Sequence, residues 1–131
     1  MQQLAEFSVS QKIKAAMRGN KHLRSILIQD SNRLVSCAVL KNPGLTDAEV
    51  IRTAGNRAVN RDVIRQITMN REWMRLYQVK HGLVSNPKCP RGIAMRIVHT
   101  LNKNDLKALS KNKGAPSAVS TEAMKLYKRK L

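Results

Sequence analysis

Three segments of this chain read alike, and they constrain its fold more than any other feature. Val39-Leu40-Lys41-Asn42-Pro43-Gly44-Leu45-Thr46 aligns with Leu83-Val84-Ser85-Asn86-Pro87-Lys88-Cys89-Pro90. Leu109-Ser110-Lys111-Asn112-Lys113-Gly114-Ala115-Pro116 is a weaker third copy. Each copy sets an aliphatic residue three positions before an Asn and a helix-starting Thr or Pro four positions after it. The Asn ends one helix, a tight turn follows, and the Thr or Pro starts the next in a set direction. Asn20 and Asn70 read as degenerate copies. The copies recur irregularly, within the roughly 20–50 residue spacing of stacked helical units, each of which buries its face only against its neighbours. A plain helical bundle with shared turn chemistry is the alternative.

Between these breaks the periodicity is helical. Leu4 to Arg18 carries Phe7, Val9, Ile13 and Met17 on one stripe, and Gly19-Asn20 stops it, both residues tolerating the left-handed conformation. Leu23 to Gln29 is too short to separate helix from strand. Asp30, Ser31 and Asn32 offer caps for a helix to about Leu40. Thr46 with Glu49 forms a capping box for a helix that stops near Gly55-Asn56. Asn60 caps the next, which ends at Asn70. Glu72 to about Leu83 carries Trp73, Met74, Leu76, Tyr77 and Val79. Pro90 opens a helix through Val98, Asn104 caps a short one, and Pro116 opens the last. Aromatic residues make up only 3% of the chain, and the apolar mass is aliphatic, which favours helices over a sandwich. No alternating strand pattern is evident.

The Asn-Pro turns resemble those of HEAT-like and leucine-rich-repeat-variant α-solenoids, above all short bacterial proteins built on an aliphatic-x-x-Asn-Pro-x-x-Pro turn. The resemblance covers residues 20 to 125 and departs from the pattern at Thr46 and Lys113. The residue pattern gives about eight or nine short helices, all α, and the resemblance implies that they stack as a right-handed solenoid. One domain is expected over 1–131, with a capping helix at 1–19, repeats over 20–115 and a basic C-terminal helix at 116–131. It also implies a non-enzymatic binding scaffold.

Direct reading of the residues finds little chemistry. Cys37, His81, Cys89 and His99 are ligand types without finger-like spacing, so no metal is expected. Lys80-His81 and Lys88-Cys89 lack an orienting acid for nucleophilic catalysis. Asp47 and Glu49 suit a helix N-terminus. No Gly-rich phosphate loop occurs, and no cofactor is expected. Trp73 and Tyr77 read as core rather than as a base platform. Two lone cysteines read as reduced apolar fillers, which with no secretory leader points to the cytoplasm. No apolar run approaches the roughly 18 residues of a membrane span.

Charge is the stronger signal. The chain carries 25 Lys and Arg against 8 Asp and Glu, a net +17 that favours an anionic partner. Residues 80 to 131 hold twelve of these cations against only Asp105 and Glu122. Helical spacing pairs Arg61 with Arg65 and Arg71 with Arg75, followed by Arg91, Arg96, Lys103 and Lys107. Lys125, Lys128, Arg129 and Lys130 cluster at the end, where they also complement a helix C-terminus. Aligned by stacking, these side chains would form a stripe suited to a phosphate backbone. The expectation is therefore a non-enzymatic module that binds DNA or RNA without strong sequence preference. Alternatives are an adaptor for an acidic protein surface and a HEAT-like DNA repair glycosylase. Peripheral contact with an anionic membrane fits the terminal cluster less well.

Overall fold

A computed structural model describes Leu4 and residues 6–130. Among them there is no strand, and ten helices follow in order: α1 (Val9–Arg18), α2 (Lys21–Leu27), α3 (Arg33–Val39), α4 (Asp47–Ala54), α5 (Arg61–Met69), α6 (Arg71–Met74), α7 (Tyr77–Val84), α8 (Arg91–Val98), α9 (Lys103–Ser110) and α10 (Ser117–Arg129). The chain is all-α, as its composition and periodicity lead one to expect. No helix among the described residues is long and apolar enough to cross a membrane.

The helix starts follow local chemistry. Thr46 caps α4 with Glu49 completing the box, Asn32 caps α3, Asn60 caps α5, and Pro90 and Pro116 stand at the caps of α8 and α10. A further box, Ser8 with Gln11, starts α1 at Val9. Leu4 is itself helical, but the chain leaves the helix over Glu6–Ser8, so the expected helix from Leu4 to Arg18 is interrupted there, and its Ala5 lies outside the described residues. The ambiguous segment from Leu23 to Gln29 is helical as far as Leu27, within α2, and turns at Ile28-Gln29. Asn102, not Asn104, caps α9, because its side-chain oxygen reaches the Asp105 amide at 2.8 Å.

Two expectations about the turns change. Glycine φ angles stay negative throughout the described residues, so no helix ends on a left-handed residue. Asn20 and Asn70 are N-caps of α2 and α6, not degenerate copies of the repeated turn. The missing copy is Asn56-Arg57-Ala58-Val59-Asn60, in which an Asn-side-chain turn precedes the buried Val59 and the helix cap Asn60. It has Thr53 in place of the aliphatic residue three positions before the Asn, and Asn60 in place of Thr or Pro four positions after it, so the pattern as defined passes over it.

In the four true copies the Asn Oδ1 accepts the amide two residues on, at 2.8–3.0 Å for Asn42, Asn56, Asn86 and Asn112. Asn42 and Asn86 do more. Nδ2 of Asn42 donates to the carbonyls of Ala16 and Gly19, both at 3.0 Å, and Nδ2 of Asn86 donates to those of Ala54 and Asn56, at 2.9 and 3.1 Å. Each thereby satisfies carbonyls left open at the end of an earlier helix. Accordingly α1 packs on α3 and α4 packs on α7, two helix pairs closed in the same way.

One segment departs from the expected helix over Glu72–Leu83. The chain breaks at Arg75-Leu76, where Leu76 is extended, and this supplies the tenth helix. No Pro or Gly marks the break. It turns α7 so that Gly82 lies on the end of α4: a Cβ on Gly82 would sit 3.0 Å from the Gly55 nitrogen. One apolar cluster runs from Ala16 to Ala123, with Trp73, Tyr77 and Tyr127 packed along its edge.

Candidate nucleic-acid interface

The break at Arg75-Leu76 also shapes the surface. The short α6 packs on α5 and α7, and a groove of about 310 Å³ is lined by residues of α5, α6, α7 and α8. Met74, Ile93 and Ile97 form its floor; Ile97 is buried, and Met74 and Ile93 are half-buried. Arg71 from α6, Lys80 from α7 and Arg96 from α8 line it, together with Thr68 and Thr100. No acidic side chain lines it. Two of the sequence-selected cations, Arg71 and Arg96, thus meet. Lys80 joins them although sequence reasoning did not select it. On one continuous helix Arg71 and Lys80 would sit about 180° apart, since nine residues make two and a half turns.

The other selected residues are all exposed but do not share this groove. Arg65 lines a separate groove of about 360 Å³ with Arg33, Cys37 and Met69. That groove also contains Asp62, whose carboxylate lies 3.9 Å from Arg33, leaving Arg61 without that partner. Arg75 is drawn to Glu72 at 3.6 Å. Lys103 lies over the Tyr127 ring, 5.9 Å from its centre, a cation–π contact that ties α9 to α10. Lys130 donates to the Leu101 carbonyl at 3.3 Å. Arg91, Lys107, Lys125, Lys128 and Arg129 point into solvent.

The two acids after residue 80 are spent on groups other than Lys and Arg. Asp105 accepts from the Tyr77 hydroxyl and lies 3.5 Å from His81, while Glu122 lies 3.5 Å from His99. Tyr77 also accepts the Asn102 amide, so this cluster clamps α7 to the start of α9. Burial, then Asp105, pushes the Tyr77 hydroxyl above its ordinary value. Among the described residues, no Lys or Arg from 80 to 130 forms an ion pair. A cation without a carboxylate keeps its full field for an external anion.

The remaining chemical candidates stay apart. No three His, Cys, Asp or Glu groups gather among the described residues. Cys37 and Cys89 are both free and buried. Burial pushes both thiols up, Cys89 to about 11, so both are protonated at neutral pH and weak as nucleophiles or ligands. Comparison with protein-family models, curated proteins and solved structures returns no match.

Proposed function

We propose that this chain is a non-enzymatic helical-repeat module that binds nucleic acid through its phosphate backbone, without strong sequence preference. The observation that carries the reading is the pairing of the acids. From residue 80 onward the carboxylates face histidines and a tyrosine, and every described Lys and Arg is left without one. A surface carrying +17 in this state gains by releasing counterions from a polyanion. Equivalent closure of the α1–α3 and α4–α7 pairs supports stacking in the HEAT-like manner. Titration of labelled DNA and RNA at two salt concentrations tests the reading. Micromolar binding that falls steeply with salt is expected; no binding at low salt rejects it.

A protein adaptor is the second reading, favoured by one specific observation. Leu34 on α3 and Met69 on α5 are 58% and 66% exposed, and they line the same groove as Arg33 and Arg65. An acidic partner with an apolar residue would fit there. Capture of partners before and after nuclease treatment separates the two, because adaptor partners survive the nuclease.

A further inference from the structure

We propose that the groove between α6, α7 and α8 holds one unpaired nucleotide, its base on the apolar floor and its phosphate among Arg71, Lys80 and Arg96. The inference rests on the nucleic-acid reading and deepens it, making the preferred ligand a single strand.

A phosphate alone gives no reason for the floor. Met74 and Ile93 keep apolar surface open directly beside three cations, and no acid offsets them. An amphiphilic anion matches that pairing, and a nucleotide is one: a flat, largely apolar base joined to a charged linkage. At about 310 Å³ the groove sits at the lower end of ligand sites, which run from roughly 300 to 1,000 Å³, so it takes one residue of a polymer. The bases of a duplex are stacked inside and cannot reach a recessed floor, whereas those of a single strand splay outward.

The hydroxyls are set for the same ligand. Thr68 donates to the Arg65 carbonyl at 2.6 Å and Thr100 to the Ile97 carbonyl at 2.7 Å. With their protons committed, both offer the groove only acceptor lone pairs, to which base amino groups or a ribose hydroxyl can donate. The three cations come from three helices, so a nucleotide seated there would bridge α6 to α8.

The test uses the full chain, a labelled single-stranded oligonucleotide, and the same sequence as a duplex. Single-strand binding about tenfold tighter than duplex binding is expected, on the order of one base desolvated against an apolar surface. Ile93→Asp should remove that preference. Because Ile93 is half-buried, the double variant R71A/R96A, at exposed positions, is measured alongside. It should weaken single-strand binding more than duplex binding, while Lys125→Ala with Lys128→Ala weakens both alike. A mononucleotide should displace the oligonucleotide at lower concentration than inorganic phosphate. Equal affinity for both strands, or equal competition by phosphate, overturns the nucleotide site and leaves backbone binding standing. Binding to neither form overturns both.

Discussion

Asn86 is 1% exposed, and its side-chain amide reaches back 32 residues to donate to the Ala54 carbonyl at 2.9 Å. Asn42 makes the equivalent contact to Ala16. Asn56 and Asn112 form the same local turn, but no hydrogen bond from their amides to an earlier helix accompanies it. Replacing Asn42 or Asn86 by Ala strands two helix-end carbonyls and should cost about 3 kcal/mol each. Asn56→Ala and Asn112→Ala should cost under about 1 kcal/mol. Urea unfolding of the four variants checks the contrast; equal losses would refute the long-range role.

Gly82→Ala is the complementary experiment on the α4–α7 crossing. The added methyl would meet backbone, the Gly55 nitrogen at 3.0 Å and the Ala54 carbonyl carbon at 3.3 Å, which cannot swing aside as a side chain could. A loss of about 2 kcal/mol is expected. Gly92, in α8, has nothing within 4 Å of its would-be Cβ, and Gly92→Ala should gain about 0.5 kcal/mol. Thermal melts of the pair give opposite signs if the crossing is as close as described.

Arg24 and Glu49 form a buried pair, Nε to Oε1 at 2.9 Å and the second guanidinium nitrogen to Oε2 at 3.2 Å. Burial alone would raise the Glu49 carboxyl, but hydrogen bonds from Arg24 and Thr46 outweigh it and hold it below its ordinary 4.5. A lowered folded value means the stabilisation is complete above that ordinary value and is lost as pH falls through the folded one. Glu49→Gln leaves Arg24 buried and unpaired, at a cost of about 3 kcal/mol near neutrality. Its stability should also decline less steeply than the parent's below pH 4.5, measured by denaturant titration across the acid range.

Cys89 bears on the alkaline side. Its thiol is raised from 9.0 to about 11 by burial. Here the sign reverses: the contribution is fully present below the unfolded value and disappears as pH rises from 9 to about 11. Cys89→Ala should flatten that alkaline decline. At pH 8 a thiol reagent should modify neither Cys37 nor Cys89 until denaturant is added.

Surface repulsion gives a last prediction. With +17 overall and no ion pair on Lys or Arg after residue 80 among the described residues, raising ionic strength from about 0.01 M to about 0.15 M should raise the melting temperature. A polyanion at equal charge should raise it further. A fall with salt would mean that attractive surface pairs dominate.

What could be read from residue order alone was the chemistry that acts within four or five positions. Thr46 with Glu49, Asn60, and the turns at Asn42, Asn86 and Asn112 all stand where local capping and turn preferences place them. The largely aliphatic core and the surplus of cations are likewise properties of composition. Tertiary structure decided what lies between such signals. Leu76 has no breaker near it, and its extended backbone accompanies the docking of α7 on α4, where only Gly82 lets the backbones approach. The same bend carries Lys80 from the far side of a would-be helix to the side of Arg71, and α8 then brings Arg96 to both. Periodicity describes one straight helix at a time, so a site assembled across a bend and three helices has no period to reveal it.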